Sequence, residues 1–229
     1  MLAVIGGSSL SQLAGLDVSH REVLRTPYGE PSGAITFGQM FGRPMAFLGR
    51  NGYGHTILPH EVNYRANLWA LHERGALGII SVASVGSIRA DLKPGDVVIP
   101  HQIIDYTWGR KSTYFEGLDR GVTHVDFTEP YDANLRKQLI EAAREVGVPM
   151  SDSAVYAVTQ GPRLETAAEI DRLERDGRGI LPLLLRAHDG RSPALRPRRE
   201  LLDGGRTEGI TGSQHDFLAF KLQFFRQFA

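Results

Sequence analysis

The stretch Thr159-Gln160-Gly161-Pro162-Arg163-Leu164-Glu165-Thr166 sets a carboxylate just past a Gly-Pro turn that ends the apolar run Ala154-Val155-Tyr156-Ala157-Val158. Ligands of open α/β sheets bind at such strand-to-helix junctions, and a carboxylate there can accept a hydrogen bond from a ring N–H of a heterocycle. The position also suits a solvated acid favoured by the helix dipole. A second set of residues has the types that hold an oxyanion. Gly6-Gly7-Ser8-Ser9 directly follows the apolar run at 2–5, so backbone N–H groups can approach an anion while Ser8 adds a hydroxyl. Glycine-serine turns are also common as plain structural turns. Arg50 follows Ala46-Phe47-Leu48-Gly49, which puts a guanidinium with bidentate geometry for phosphate at a strand end. Ser84, after Ile79-Ile80-Ser81-Val82-Ala83, is a further hydroxyl at a strand end.

The elements that must position these groups follow from pattern. Mostly apolar runs at 2–5, 34–37, 45–48, 77–83, 97–99 and 154–158 predict strands, and stretches at about 60–74, 132–146 and 166–175 predict helices. Thr166 with Glu169 three residues on forms a capping box for the last of these. Strands interspersed with helices predict an α/β fold with a central, mostly parallel mixed sheet flanked by helices. Leu68 and Trp69 are expected in the core, and Leu135, Leu139 and Ala142 repeat at helical spacing.

Composition sets outer bounds. A chain of 229 residues with 41% hydrophobic residues can bury one large core, and its length favours a single domain over residues 1–229. A formal net charge of zero lacks the footprint of a nucleic-acid binder. No cysteine is present, so there is no disulfide framework and no thiolate metal site, which fits a cytoplasmic protein. Met1-Leu2-Ala3-Val4-Ile5 turns straight to glycine and reads as a first strand, with no long apolar segment to suggest a membrane.

The Thr159 to Thr166 motif resembles the Gly-Pro-x-Phe-Glu-Thr signature of the trimeric purine nucleoside phosphorylases. Ile5-Gly6-Gly7-Ser8-Ser9-Leu10, Arg50-Asn51-Gly52-Tyr53-Gly54-His55-Thr56, Val62-Asn63-Tyr64-Arg65-Ala66-Asn67-Leu68-Trp69-Ala70-Leu71 and Gly121-Val122-Thr123-His124-Val125 follow the branch of that family that acts on 5'-methylthio nucleosides. Within it the chain looks most like the methylthioinosine phosphorylases, and the resemblance covers residues 1–177. It implies phosphorolysis of S-methyl-5'-thioinosine to hypoxanthine and S-methyl-5-thioribose 1-phosphate. It implies no cofactor or metal, inorganic phosphate as the co-substrate, and a homotrimeric assembly. The resemblance assigns Ser8, Arg50, Asn51, Ala83 and Ser84 to phosphate. It assigns His55 to the sugar-side loop, His124 to a neighbour's 5' substituent, and Leu164 to the place of a base-stacking phenylalanine. On residue type alone both histidines also suit structural roles. Ile57 and Leu58 fit a methylthio group where relatives that take 5'-hydroxyl sugars carry polar side chains.

Two loop positions depart from the family pattern. Asn51 stands where relatives carry histidine, and Ser9 where they carry glycine. Asparagine donates to phosphate without positive charge, at a cost of ~1 kcal/mol. Glu165 bears on the choice of purine. A 6-oxopurine carries an N1–H that a carboxylate accepts, whereas a 6-aminopurine presents a bare acceptor, so Glu165 favours the 6-oxo ring roughly ten- to hundred-fold. The rival activities are methylthioadenosine phosphorolysis and broader purine nucleoside phosphorolysis.

After Gly177 the resemblance stops. Residues 178–206 contain seven arginines, no lysine and no clear periodicity, as an out-of-frame reading of GC-rich DNA would. Such a tail would lack part of the base pocket, which makes an inactive, ligand-binding relative the rival from another class. Residues 215–228 predict a terminal amphipathic helix with Phe217, Phe220, Phe224 and Phe228 on one face.

Overall fold

A computed structural model describes residues 1–7, 10, 12–116, 122–177, 179–182 and 217–223. The chain begins with β1 (Leu2–Gly6), β2 (Asp17–Glu22), β3 (Ile35–Met40) and β4 (Arg43–Gly49), then a single 3-10 turn over Tyr53–His55 and α1 (Tyr64–Glu73). It continues through β5 (Gly78–Ser87), β6 (Val97–Val98), β7 (Gln102–Asp105), α2 (Ala133–Glu145), β8 (Met150–Ser151), β9 (Val155–Val158) and α3 (Ala167–Arg175). The last described strands are β10 (Ile180–Pro182) and β11 (Phe217–Gln223).

These strands form one mixed sheet in the order β2-β3-β4-β1-β5-β10-β9-β7, with β11 joining β5 to β6 and β8. At its centre β4, β1 and β5 run parallel. The expected α/β architecture is present. Side-chain alternation on β1 explains why the centre is buried on both sides. Ala3 and Ile5 pack with Ile35, Leu48, Leu71 and Ile79, next to α1. Val4 points the other way, into Phe47, Ile80, Ile99, Tyr131 and Ile140, next to α2.

Several boundaries differ from expectation, for local reasons. The first helix starts at Tyr64 rather than near residue 60, because Asn63 caps it by accepting from Ala66 N at 3.1 Å. On α2 the buried residue is Ile140, Leu135 and Leu139 pack at the core's edge, and Ala142 is exposed. Trp69 is half-buried and Leu68 lies at the margin of a core cluster. β2 has the sequence Asp-Val-Ser-His-Arg-Glu and is almost wholly exposed, so no apolar pattern announced it.

The expected C-terminal helix is not what forms. Residues 217–223 are a strand that pairs antiparallel with β5 from Val85 back to Ile79. The reason is the backbone of β5, whose N–H and C=O groups on that edge need partners, and a strand supplies a row of them where a helix supplies none. Residues 178, 183–216 and 224–229, which hold most of the arginine-rich segment, lie outside the described residues. Among the described residues no helix is long and apolar enough to cross a membrane.

The capping box that opens α3 is formed, with Glu169 N donating to Thr166 Oγ1 at 3.3 Å and Thr166 N to Glu169 Oε2 at 2.7 Å. Arg163 adds a bidentate pair to Glu169 at 2.8 and 2.7 Å. These bonds, the Arg163 pair foremost, lower the Glu169 pKa to about 2. A depressed carboxylate pKa stabilises the fold above the unfolded value and stops doing so as pH falls through the folded value. The first turn of α3 should therefore loosen between about pH 4.5 and pH 2. Amide exchange at residues 167–170 checks this, and Glu169→Gln should abolish the pH dependence.

Candidate active site

The C-terminal ends of β1, β4 and β5 converge, with Gly6 opposite Gly49 and Ile5 opposite Ser81. This convergence brings the glycine turn and Arg50 together. Arg50 N donates to Gly6 O at 2.8 Å, and its Nη1 donates to Ser81 Oγ and Val82 O, both at 3.3 Å. The guanidinium lies so close over Gly7 that any Cβ there would collide with it. A Cβ at Gly6 would instead strike the Leu10 carbonyl and, at 2.7 Å, the Phe47 ring. The two glycines thus have different jobs: Gly6 admits backbone and Gly7 admits the arginine. Ala83 is half-buried and Ser84 buried, just beyond the residues that hold Arg50. Ser8 lies outside the described residues.

Gly7→Ala separates these roles. The obstructed atom is the end of a flexible side chain, so Arg50 can swing away and the fold should survive. Phosphate affinity should fall at least tenfold while the melting temperature changes little, as phosphate titration and calorimetry would read.

Asn51 is only 7% exposed, and its Nδ2 donates to Ile57 O at 2.9 Å while Ile57 N donates to Asn51 O at 3.0 Å. The residue expected at phosphate therefore closes the loop 52–57, which carries His55 and Ile57. His55 is exposed and has φ 59, a left-handed conformation uncommon outside glycine. Ile57 is half-buried, whereas Leu58 and His124 are exposed.

At the end of β9, Leu164 and Glu165 are half-buried. Thr159 Oγ1 donates to Glu165 Oε1 at 2.5 Å. Arg110 grips the same turn: its Nη2 donates to Gln160 O at 2.9 Å and Thr159 O at 3.5 Å, and its Nε to Gln160 Oε1 at 3.1 Å. The Arg110 guanidinium also lies over the Tyr64 ring, 5.5 Å from its centroid. Buried Arg65 on α1 fixes the segment that carries Arg110, through Thr113 O at 2.9 Å and Glu116 at 2.8 Å.

Tyr156 on β9 is buried. Burial pushes its phenol up to about 12, opposed by Arg50 and Arg110 and assisted by Tyr64. It is a neutral hydroxyl at pH 7 within electrostatic reach of the arginines from both ends. Among the expected residues, then, Arg50 joins the glycine turn beside Ala83 and Ser84, Glu165 stands with Leu164 at the other end, and Asn51 pins the loop of His55. Thr159, Arg110 and Ser81 contribute contacts that the sequence reading did not name. Only Thr159 lay inside a recognisable motif, and a lone arginine in Trp108-Gly109-Arg110-Lys111 has no spacing signal.

Comparison with known proteins identifies the family of this fold. A family model described as the phosphorylase superfamily matches residues 2–180. A probable S-methyl-5'-thioinosine phosphorylase from Pseudomonas syringae pv. tomato is 49% identical over 179 residues, covering 78% of this chain and 73% of that protein. A 6-oxopurine nucleoside phosphorylase from Pyrococcus furiosus is 47% identical over 74% of this chain and 64% of its own length. Among solved structures, a methylthioadenosine phosphorylase from Schistosoma mansoni in apo form superposes with a TM-score of 0.76 at 31% identity, covering 80% of this chain and 72% of that one. With a family model matched over residues 2–180 and a relative 49% identical over 78% of this chain, the chain belongs to the phosphorylase superfamily.

Proposed function

We propose that the chain is a purine nucleoside phosphorylase-type pentosyltransferase that converts S-methyl-5'-thioinosine and phosphate to hypoxanthine and S-methyl-5-thioribose 1-phosphate in purine salvage. The observation that carries the substrate choice is the Glu165 carboxylate held as an acceptor by Thr159. A 6-oxopurine offers N1–H to it, and a 6-aminopurine offers only lone pairs. The relatives that share this region include methylthioinosine and 6-oxopurine phosphorylases.

Phosphate sits at the glycine turn under Arg50, with Ser8 and Ser84 as further donors. A phosphate oxygen attacks C1' as the C1'–N9 bond breaks, the bonding pair leaves with the purine, and the proton that hydrogen phosphate gives up neutralises the departing base. The sugar passes through an oxocarbenium-like state, whose positive charge the phosphate dianion offsets. His55 lines the sugar side. Ile57 and Leu58, apolar on the same loop, suit a 5'-methylthio group. No metal or organic cofactor enters this scheme.

The chain works as a homotrimer in the cytoplasm, with exposed His124 reaching a neighbour's sugar site. Light scattering tests the assembly, and an active monomer would remove His124 from its role. The test of the activity is phosphate-dependent release of base from methylthioinosine, methylthioadenosine and inosine, assayed side by side. The first should react with the highest kcat/KM.

A second reading has its own support, since the family match ends at residue 180 of 229. A chain with a foreign tail would bind phosphate and hypoxanthine without turnover. Coding DNA in which a one-base shift near Gly177 restores Met-Thr-Gly-Met-Pro-Glu, the segment the resembling family carries where this chain has Leu181-Pro182-Leu183-Leu184-Leu185-Arg186, would select that reading.

A further inference from the structure

Glu165 accepts one hydrogen bond among the described residues, from Thr159 Oγ1 to Oε1 at 2.5 Å. A carboxylate on a flexible side chain discriminates between rings only if its plane is fixed, because a rotating group can turn an oxygen away from a mismatched acceptor. The hydroxyl of Thr159 fixes it. Thr159 is itself held, with Arg110 Nη2 at 3.5 Å from its carbonyl and at 2.9 Å from that of Gln160. The Gln160 side chain is tied to the backbone of Trp108, donating to its carbonyl at 3.1 Å and accepting from its N–H at 3.4 Å. The turn that carries Thr159 is thus anchored to a separate segment of chain.

We propose that Thr159 is a positioning residue for purine choice: by donating to Oε1 it holds the Glu165 carboxylate so that Oε2 remains the acceptor offered to N1–H. The assignment rests on the reading of Glu165 as the group that faces N1. Its chemistry is specific to a hydroxyl. Valine has the shape of threonine without the donor, and serine has the donor without the methyl.

The experiment titrates hypoxanthine and adenine into the full-length wild-type protein and into Thr159→Val, Thr159→Ser and Glu165→Gln, with inorganic phosphate titrated separately. Wild type should prefer hypoxanthine. Thr159→Val should reduce the ratio of the two dissociation constants about tenfold, and Thr159→Ser should keep it near the wild-type value. Phosphate affinity should be unchanged in both, which a general disturbance of the site would not give. Should the valine variant not fold, Thr159→Ala reads the same missing hydroxyl. If Glu165→Gln loses the preference and Thr159→Val keeps it, the proposal is overturned while the reading of Glu165 stands. A serine variant as impaired as the valine variant also overturns it, because side-chain shape would then be the determinant. Should Glu165→Gln keep the preference, or wild type show none, the reading of Glu165 falls and takes the proposal with it.

Discussion

Replacing Arg50 with alanine should weaken phosphate about a hundredfold, some 3 kcal/mol, and change nucleoside binding less than twofold. The asymmetry follows from charge. A guanidinium offers paired N–H donors to an anion and has no corresponding partner on a neutral purine. The resting geometry makes the loss large, since Arg50 is already oriented by Ser81 Oγ and Val82 O at 3.3 Å and little further ordering is needed when phosphate binds. Arg50→Lys should fall between the two, because it keeps the charge but loses the fork. The readouts are the KM or dissociation constant for phosphate and a nucleoside titration on the same preparations. An unchanged phosphate constant in Arg50→Ala would remove the residue from the site.

That prediction came within reach of the sequence because the proposed anion site is a backbone feature. A short apolar strand that ends in Gly6-Gly7 and another that ends before Arg50 are both one-dimensional patterns, and parallel pairing of β1 with β4 brings their ends together. What the pattern could not supply was the reason for Gly7. Its need for a missing side chain comes from Arg50, 43 positions away, and only pairing of the strands makes them neighbours.

Asn51 shows a second bond that the sequence does not announce. Residue type and resemblance placed it at phosphate, and one of the two N–H donors of its carboxamide serves Ile57 O at 2.9 Å. A local side-chain to backbone bond of this kind takes one donor and leaves the other for a ligand, and nothing in the string of residues announces it. The terminal segment failed for a related reason. Phenylalanines at helical spacing do suggest an amphipathic helix, but the open edge of β5 is a tertiary demand, and 217–223 answers it as a strand. Arg110 was invisible for want of periodicity, although its four hydrogen bonds and ring contact reach Tyr64, Thr159 and Gln160.

Glu165→Gln should bring the preference for a 6-oxo over a 6-amino purine nucleoside toward one, a loss of roughly ten- to hundred-fold. The carboxylate is acceptor-only, so it rewards N1–H and penalises a bare N1. An amide can turn either its oxygen or its NH₂ to the ring. Thr159 refines the expectation. Its hydroxyl, 2.5 Å from Oε1 in the wild type, can donate to the amide oxygen equally well, and that leaves the NH₂ facing N1. The variant should therefore gain on methylthioadenosine as well as lose on methylthioinosine, and the two kcat/KM values measured separately would show both movements. A fall on both substrates together would instead mean that Glu165 acts on something common to the two rings. If a chain with a family-type tail shows the 6-oxo preference and Glu165→Gln leaves it intact, the discriminator lies beyond residue 177 and not at the end of β9.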